Sequence, residues 1–263
     1  MLILCSVVNS TVFYIHTGGL VMFLLYSLYL LLALVLLYVL FLGVCCLFID
    51  PNKAYDKNSR FFRFLLDSAT AAALKLLRIR IHISGAEKLT EGQKMLFVCN
   101  HRSNYDPIVT WYAFQKWRLA FVSKPSNFKI PFFGRIIRKC CFMPIDRQSP
   151  RKALQTINRA AALLKKQEVS ISIYPEGTRS RTGQLLPFHN GVFKIAQKAD
   201  ASIVVLRVTG TERICKRTPF RRTDVCLEVL DVIPHNIVAN RKTEQIGAMV
   251  RHLIQTDTEK VNA

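Results

Sequence analysis

Thirty consecutive uncharged residues, LVMFLLYSLYLLLALVLLYVLFLGVCCLFI at positions 20–49, constrain this chain more than any other feature. A bilayer core is about 30 Å thick and about twenty apolar helical residues cross it, so the run is long enough to span a membrane. A cleavable signal peptide would carry a positive n-region and a shorter apolar stretch, and this run has neither. The first charged residue of the chain is Asp50, and Lys53, Lys57, Arg60 and Arg63 follow closely. With no Lys or Arg on the amino-terminal side, the positive-inside rule places everything from residue 50 onward in the cytoplasm.

Beyond the span, a chain of 263 residues has room for one substantial core, so a single catalytic or binding domain is expected. Residues 61–77, FFRFLLDSATAAALKLL, combine an apolar face with Arg63, Asp67 and Lys75. That pattern suits a helix at the membrane interface or an ordinary helix of the folded domain. The expected division is therefore 1–77 as membrane-anchoring hydrophobic and interfacial helices, and 78–263 as the folded domain. Lys and Arg number 37 against 17 Asp and Glu, a formal charge of +20, which calls for an anionic partner: nucleic acid, an acidic membrane surface or a phosphorylated substrate. The eight cysteines form no CxxC and no recurring spacing, which argues against a zinc site or a disulfide framework and for a reducing compartment.

From Arg78 the texture changes to short apolar runs alternating with amphipathic stretches. RIRIHIS, MLFVCN, LAFVSK, CFMPID, VSISIYP, SIVVLRVTG and DVCLEVLDVI read as strands, rich in β-branched and aromatic residues. Helical patterns fall at 106–116, 150–166, 191–198 and 242–260. The second is the clearest, with Ser149 as N-cap, Pro150 in the first turn, and Leu154, Ile157, Ala161 and Leu164 at helical spacing. The alternation predicts a mixed α/β fold with a mostly buried sheet and flanking helices, preceded by the hydrophobic membrane helix.

Two polar clusters stand directly after apolar strands, where α/β folds expose their chemistry. In NHRSNYDP, residues 100–107, Asp106 precedes Pro107 and reads as the N-cap of the next helix. His101 and Asp106 then share one short loop, where a carboxylate can fix the imidazole tautomer and stabilise its protonated form, as a general base requires. Ser103 or Cys99 as an acylated nucleophile activated by His101 is the competing arrangement, although no GxSxG elbow is present. The second cluster, YPEGTRSR at 174–181, packs a carboxylate, a glycine, a hydroxyl and two arginines into one turn. Gly177 lets the backbone approach a ligand, and Arg179 offers a planar fork for phosphate or carboxylate. Lys124 and Arg147 each stand at a strand end and are candidates for the same crevice.

NHRSNYD, IPFFGRII with FMPIDR, YPEGTRSR and PFHNGVFKIA resemble, in order and spacing, the motif blocks of the glycerolipid acyltransferases, most closely the lysophosphatidic acid acyltransferases. The resemblance runs from about residue 78 to 233. It implies catalysis by His101 and Asp106, and glycerol-phosphate binding by Arg147 and by Glu176, Gly177 and Arg179 of the EGTR turn; Thr178 within that turn and Lys124 at its strand end are further candidates for substrate binding. It also implies a mixed α/β fold held to the bilayer by a hydrophobic amino-terminal motif. The implied reaction moves a fatty acyl group from acyl-CoA or acyl-carrier protein to the hydroxyl of lysophosphatidic acid, giving phosphatidic acid. No metal and no cofactor beyond the acyl donor is implied, because thiolate leaves readily and arginine can meet the phosphate charge. The implied partners are membrane phospholipids, lysophosphatidic acid and the acyl donor, with no nucleic acid. Another lysolipid as acceptor, or a non-catalytic anionic-lipid-binding protein, are the alternative readings.

Overall fold

The structure is a computed structural model that describes residues 2–218 and 220–262, with side chains described between 19 and 256. It divides into two compact units, Met1–Asp50 and Pro51–Ala263. The first is the helix α1 (Leu2–Leu47). Its stretch Gly19–Leu47, 29 residues that include an 18-residue window of mean hydropathy 3.0 with only 6% of it buried, is long and apolar enough to cross a membrane, unlike the mostly buried core helix of a globular protein.

The second unit is built on seven strands, and all seven sequence-predicted runs form them. They are β1 (Ile79–Ser84), β2 (Leu96–Cys99), β3 (Leu119–Ser123), β4 (Met143–Pro144), β5 (Ser170–Ile173), β6 (Ile203–Thr209) and β7 (Thr223–Ile233). The order across the sheet is β1-β7-β6-β2-β5-β3-β4. Strands β6, β2, β5, β3 and β4 run parallel, β7 turns antiparallel to β6, and β1 is parallel to β7. Central β2 is buried at every position, which is why it reads as a continuous apolar run. Strand β7 alternates instead, with Thr223, Val225, Leu227 and Val229 buried and Asp224 and Cys226 exposed, as expected of a strand with one solvated face.

The helices of this unit are α2 (Arg60–Leu76), α3 (Asp106–Ala113), α4 (Phe133–Lys139), α5 (Pro150–Lys165), α6 (Lys194–Ala199), α7 (Ile214–Arg217), α8 (His235–Ala239) and α9 (Thr243–Asn262). In α5 the hydroxyl of Ser149 accepts from the N–H of Lys152 and Pro150 occupies the first turn, as the sequence indicates. Its Ile157, Ala160, Ala161 and Leu164 are buried, but Leu154 on the same stripe is 46% exposed. The 106–116 pattern ends early as α-helix and continues as a 3₁₀ turn at Gln115–Trp117; the 191–198 pattern opens as a 3₁₀ turn at Asn190–Phe193. Helices α4, α7 and α8 were not anticipated. Residues 51–77, grouped above with the anchor, fall by their contacts within the second unit.

Within α2, one face carries Arg63, Leu65, Thr70 and Leu74 into the domain, while Phe61, Phe64 and Leu76 remain exposed. Arg63 donates to the carbonyl of Leu119 at 3.1 Å and to Oδ1 of Asn58 at 2.9 Å. Its guanidinium lies 4.4 Å from the ring of Trp111, whose indole N–H donates to Asp67 at 2.6 Å. A buried arginine with these contacts fastens α2 to α3 and β3.

Candidate active site

Five parallel strands end at one rim of the sheet, and the polar clusters leave from that rim. His101 follows β2, Tyr174 and Glu176 follow β5, Lys124 follows β3, Arg147 follows β4, and Thr211 follows β6. Asn100 starts the first cluster by imitating a strand residue: its amide donates to the carbonyl of Val208 at 3.0 Å and accepts from the N–H of Val208 at 2.8 Å. The loop therefore departs from a pinned position between β2 and β6.

Nδ1 of His101 meets Oδ2 of Asp106 at 2.8 Å. Asp106 is fully buried, whereas the His101 side chain keeps 17% of its surface exposed. The imidazole stacks on the ring of Tyr174, with centroids 4.4 Å apart. With Nδ1–H committed to the carboxylate, Nε2 is left as the basic atom.

The expectation that Asp106 caps the following helix is corrected here. It is the first residue of α3, and Tyr105 stands at the N-cap without a side-chain hydrogen bond. The Asp106 carboxylate turns back into the preceding loop, where Oδ2 also accepts the N–H groups of Arg102 at 2.6 Å and Ser103 at 2.7 Å. Its second oxygen accepts the hydroxyl of buried Thr211 at 2.5 Å. These donors stand around the acid in the loop, so none of its acceptor capacity goes to the helix. Thr211 and Asn100 are the site residues that local sequence reasoning did not single out.

Glu176 is 3% exposed, and both its oxygens are taken by backbone: Oε1 by the N–H of His101 at 2.7 Å and Oε2 by that of Leu186 at 2.9 Å. Burial pushes its carboxyl above the ordinary glutamate range, while the two N–H groups and His101 pull it back. The N–H of Ser180 donates to the carbonyl of His101 at 2.8 Å, closing the second cluster onto the first. Gly177 has φ of +68°, and a Cβ there would stand 2.9 Å from the His189 ring and 3.6 Å from Nε of Arg147. Only glycine fits this combination of backbone and space, and the contact puts Arg147 beside the EGTR turn.

Thr178, Arg179, Arg147 and Lys124 are exposed. None of the ion pairs among the described residues involves Lys124, Arg147 or Arg179, so their charges face outward unneutralised. Arg147 adjoins Gly177, and Arg179 precedes the Ser180 N–H that holds His101, so both border the histidine loop. Lys124 shares the rim at the end of β3. Cys99 is fully buried, its sulfur directed at Asn100, and burial raises its thiol well above the ordinary value. The hydroxyl of Ser103, also buried, accepts the N–H of Tyr105. Neither has the open setting of a nucleophile. Among the described residues, no group of three or more His, Cys, Asp or Glu is arranged to hold a metal ion.

A partly exposed histidine braced by a buried carboxylate, on a sheet rim that also carries exposed cations, can take up a proton beside a bound anion. The family model described as Acyltransferase matches residues 80–209. The chain resembles that family over this stretch, just under half of its length, which contains both clusters. It is similar to the 1-acyl-sn-glycerol-3-phosphate acyltransferase of Cocos nucifera, 32% identical over 54% of this chain and 45% of that one. The enzyme of the same name from Salmonella typhimurium is 31% identical over 60% of this chain and 62% of that one. That from Escherichia coli K12 is 30% identical over 63% and 66%. The chain thus spans less than two thirds of the length of each of these relatives. The crystal structure of the 1-acyl-sn-glycerophosphate acyltransferase from Thermotoga maritima shares the fold, with a TM-score of 0.63 and 21% identity over 76% of this chain and 80% of that one.

Proposed function

We propose that the chain transfers a fatty acyl group from an acyl thioester, acyl-CoA or acyl-carrier protein, to the free hydroxyl of lysophosphatidic acid, giving phosphatidic acid. The observation that carries this reading is the buried Asp106 held 2.8 Å from Nδ1 of His101, which leaves Nε2 to act as base. Nε2 removes the proton of the lysolipid hydroxyl, and the oxygen attacks the thioester carbonyl. When the tetrahedral adduct collapses, the C–S bond breaks, the new C–O ester bond remains, and the proton passes from the imidazolium to the departing sulfur. Asp106 stabilises the imidazolium in the interval. Donor and acceptor exchange one acyl group and one proton, so the reaction balances without a cofactor.

Arg147 and Arg179 hold the phosphate, with Lys124 adding charge at the same rim. Glu176, with both oxygens occupied by backbone, positions the His101 loop instead of touching an anion; Gly177 and Thr178 form the turn that presents Arg179. The acceptor is a membrane lipid, and the domain works at the cytoplasmic face, because the cations follow the apolar helix and none precedes it.

The test is acyl transfer by membranes carrying the protein, with labelled acyl-CoA and a panel of lysolipids. Lysophosphatidic acid should be acylated in preference to lysolipids with substituted phosphates. Arg147→Ala and Arg179→Ala should each raise the apparent KM for lysophosphatidic acid more than that for the donor. Preference for a substituted lysolipid would reassign the acceptor, and no transfer to any of them would overturn the reading.

A further inference from the structure

Phe220 is 85% exposed, more than any other large apolar side chain among the described residues. It stands between α7 and β7 in a stretch, 213–223, that contains five Lys and Arg and no acid. Lys216, Arg217, Arg221 and Arg222 are all exposed, as are Arg78 and Arg80 on the neighbouring strand β1 and just before it. The acid that follows, Asp224, is already paired with His82 at 3.0 Å.

The segment is folded back on itself. The N–H of Thr218 donates to the carbonyl of Ile214 at 3.0 Å, and that of Arg221 to the carbonyl of Arg217 at 2.9 Å. Arg217 donates to the carbonyl of Arg222 at 3.4 Å, and Arg78 donates to that of Phe220 at 3.1 Å. The backbone is therefore braced from two sides while the ring points into solvent. In a water-facing turn an aromatic held out in this way gains nothing; at a lipid interface the ring enters the headgroup boundary and the cations meet acidic headgroups.

Its place in the fold gives the hook a purpose. Strand β7 runs antiparallel to β6, with Thr209 opposite Cys226, so β7 begins at the rim where β6 ends. That is the rim of His101. Thr211, which holds Asp106, lies just before the segment, and the thiol of Cys215 in α7 meets the hydroxyl of Tyr105 in the histidine loop at 3.6 Å.

We propose that Phe220, with Lys216, Arg217, Arg221 and Arg222, is a docking hook for an anionic bilayer surface that seats the His101 rim against the lipid. The benefit to catalysis rests on the acceptor being a membrane lipid, as proposed above, whereas the docking itself is measured separately.

The experiment places the full chain in vesicles of equal parts phosphatidylglycerol and phosphatidylcholine, with acyl-brominated lipid as quencher. Phe220→Trp introduces the reporter, and the native Trp111 and Trp117 are buried in the domain and give a constant background. Lys165→Trp, at the exposed end of α5 leading to the start of β5, reports on the opposite rim. Emission from position 220 should be quenched and that from position 165 left nearly unchanged. Adding Arg221→Glu and Arg222→Glu should reduce the quenching, as should pure phosphatidylcholine. The same charge reversals should raise the KM for long-chain lysophosphatidic acid in vesicles and leave the rate with a dissolved short-chain acceptor unchanged. Equal emission from position 220 with and without bromine, or equal quenching at both positions, would overturn the hook. Selective quenching at 220 in a protein that transfers no acyl group would support the hook and remove the proposed reaction.

Discussion

The carboxylate of Asp106 meets four donors, and their positions determine what an amide would do there. In Asp106→Asn the N–H groups of Arg102 and Ser103 require an oxygen at the Oδ2 position, so the amide oxygen faces His101 and the ring keeps its tautomer. The amide nitrogen then faces Thr211, whose hydroxyl can turn to accept. The fold should keep its melting temperature, while turnover should fall by about 10²–10⁴-fold because the charge that stabilises the imidazolium is gone. Near-normal turnover would remove Asp106 from the mechanism. Glu176 gives a pH prediction. Its folded carboxyl is raised by burial, so the folded state holds the proton more tightly than the unfolded chain. The associated stability is present below the ordinary glutamate value of about 4.3 and is lost as pH rises through the raised value. The melting-temperature difference between wild type and Glu176→Gln should therefore shift against the wild type across that window; a pH-independent difference would contradict it. The pairing of His101 with Asp106 was legible because both lie on one loop after one strand. Thr211 was not, because 105 positions separate it from Asp106 and only the placement of β6 beside β2 joins them.

At the scale of elements, α2 shows how an apolar pattern can have two meanings. Its buried face is organised by Arg63, a residue that composition alone assigns to a surface, and its exposed face keeps the aromatics suited to an interface. Arg63→Met should cost about 1–3 kcal/mol, because the carbonyl of Leu119 and the amide of Asn58 lose their donor and the Trp111 ring loses its cation. Thermal unfolding in detergent would measure it, and an unchanged transition would mean that α2 is not fastened through this residue. The strands were legible throughout because each is a short apolar run ending in turn residues. Helix α4 was hidden: it follows Phe132, at φ of +58°, and its Gly134 sits where a Cβ would strike the carbonyl of Phe128. Both look like loop signals locally and are satisfied only by the packed domain.

For the whole molecule, the orientation and the cysteines make a joint prediction. Cys99, Cys140 and Cys141 are buried, and burial pushes the last two thiols up to about 12, whereas Cys215 and Cys226 are exposed. In open membranes at mildly alkaline pH an alkylating reagent should modify Cys215 and Cys226 and reach Cys99, Cys140 and Cys141 only after denaturation. In intact cells, an impermeant reagent should fail to reach a variant retaining Cys215 as its single cysteine; labelling from outside would reverse the proposed orientation. The strand order has a further consequence, for biosynthesis. Strand β2, which delivers His101, is flanked by β5 and β6, both made long after it, and β6 needs β7 on its other side. While the ribosome is still making the middle of the chain, the histidine has its aspartate but neither of its strand neighbours, nor the threonine that steadies the acid. Under the proposed function, a nascent chain whose apolar helix had reached a membrane would thus remain chemically silent toward the surrounding lipid until the last strands emerge.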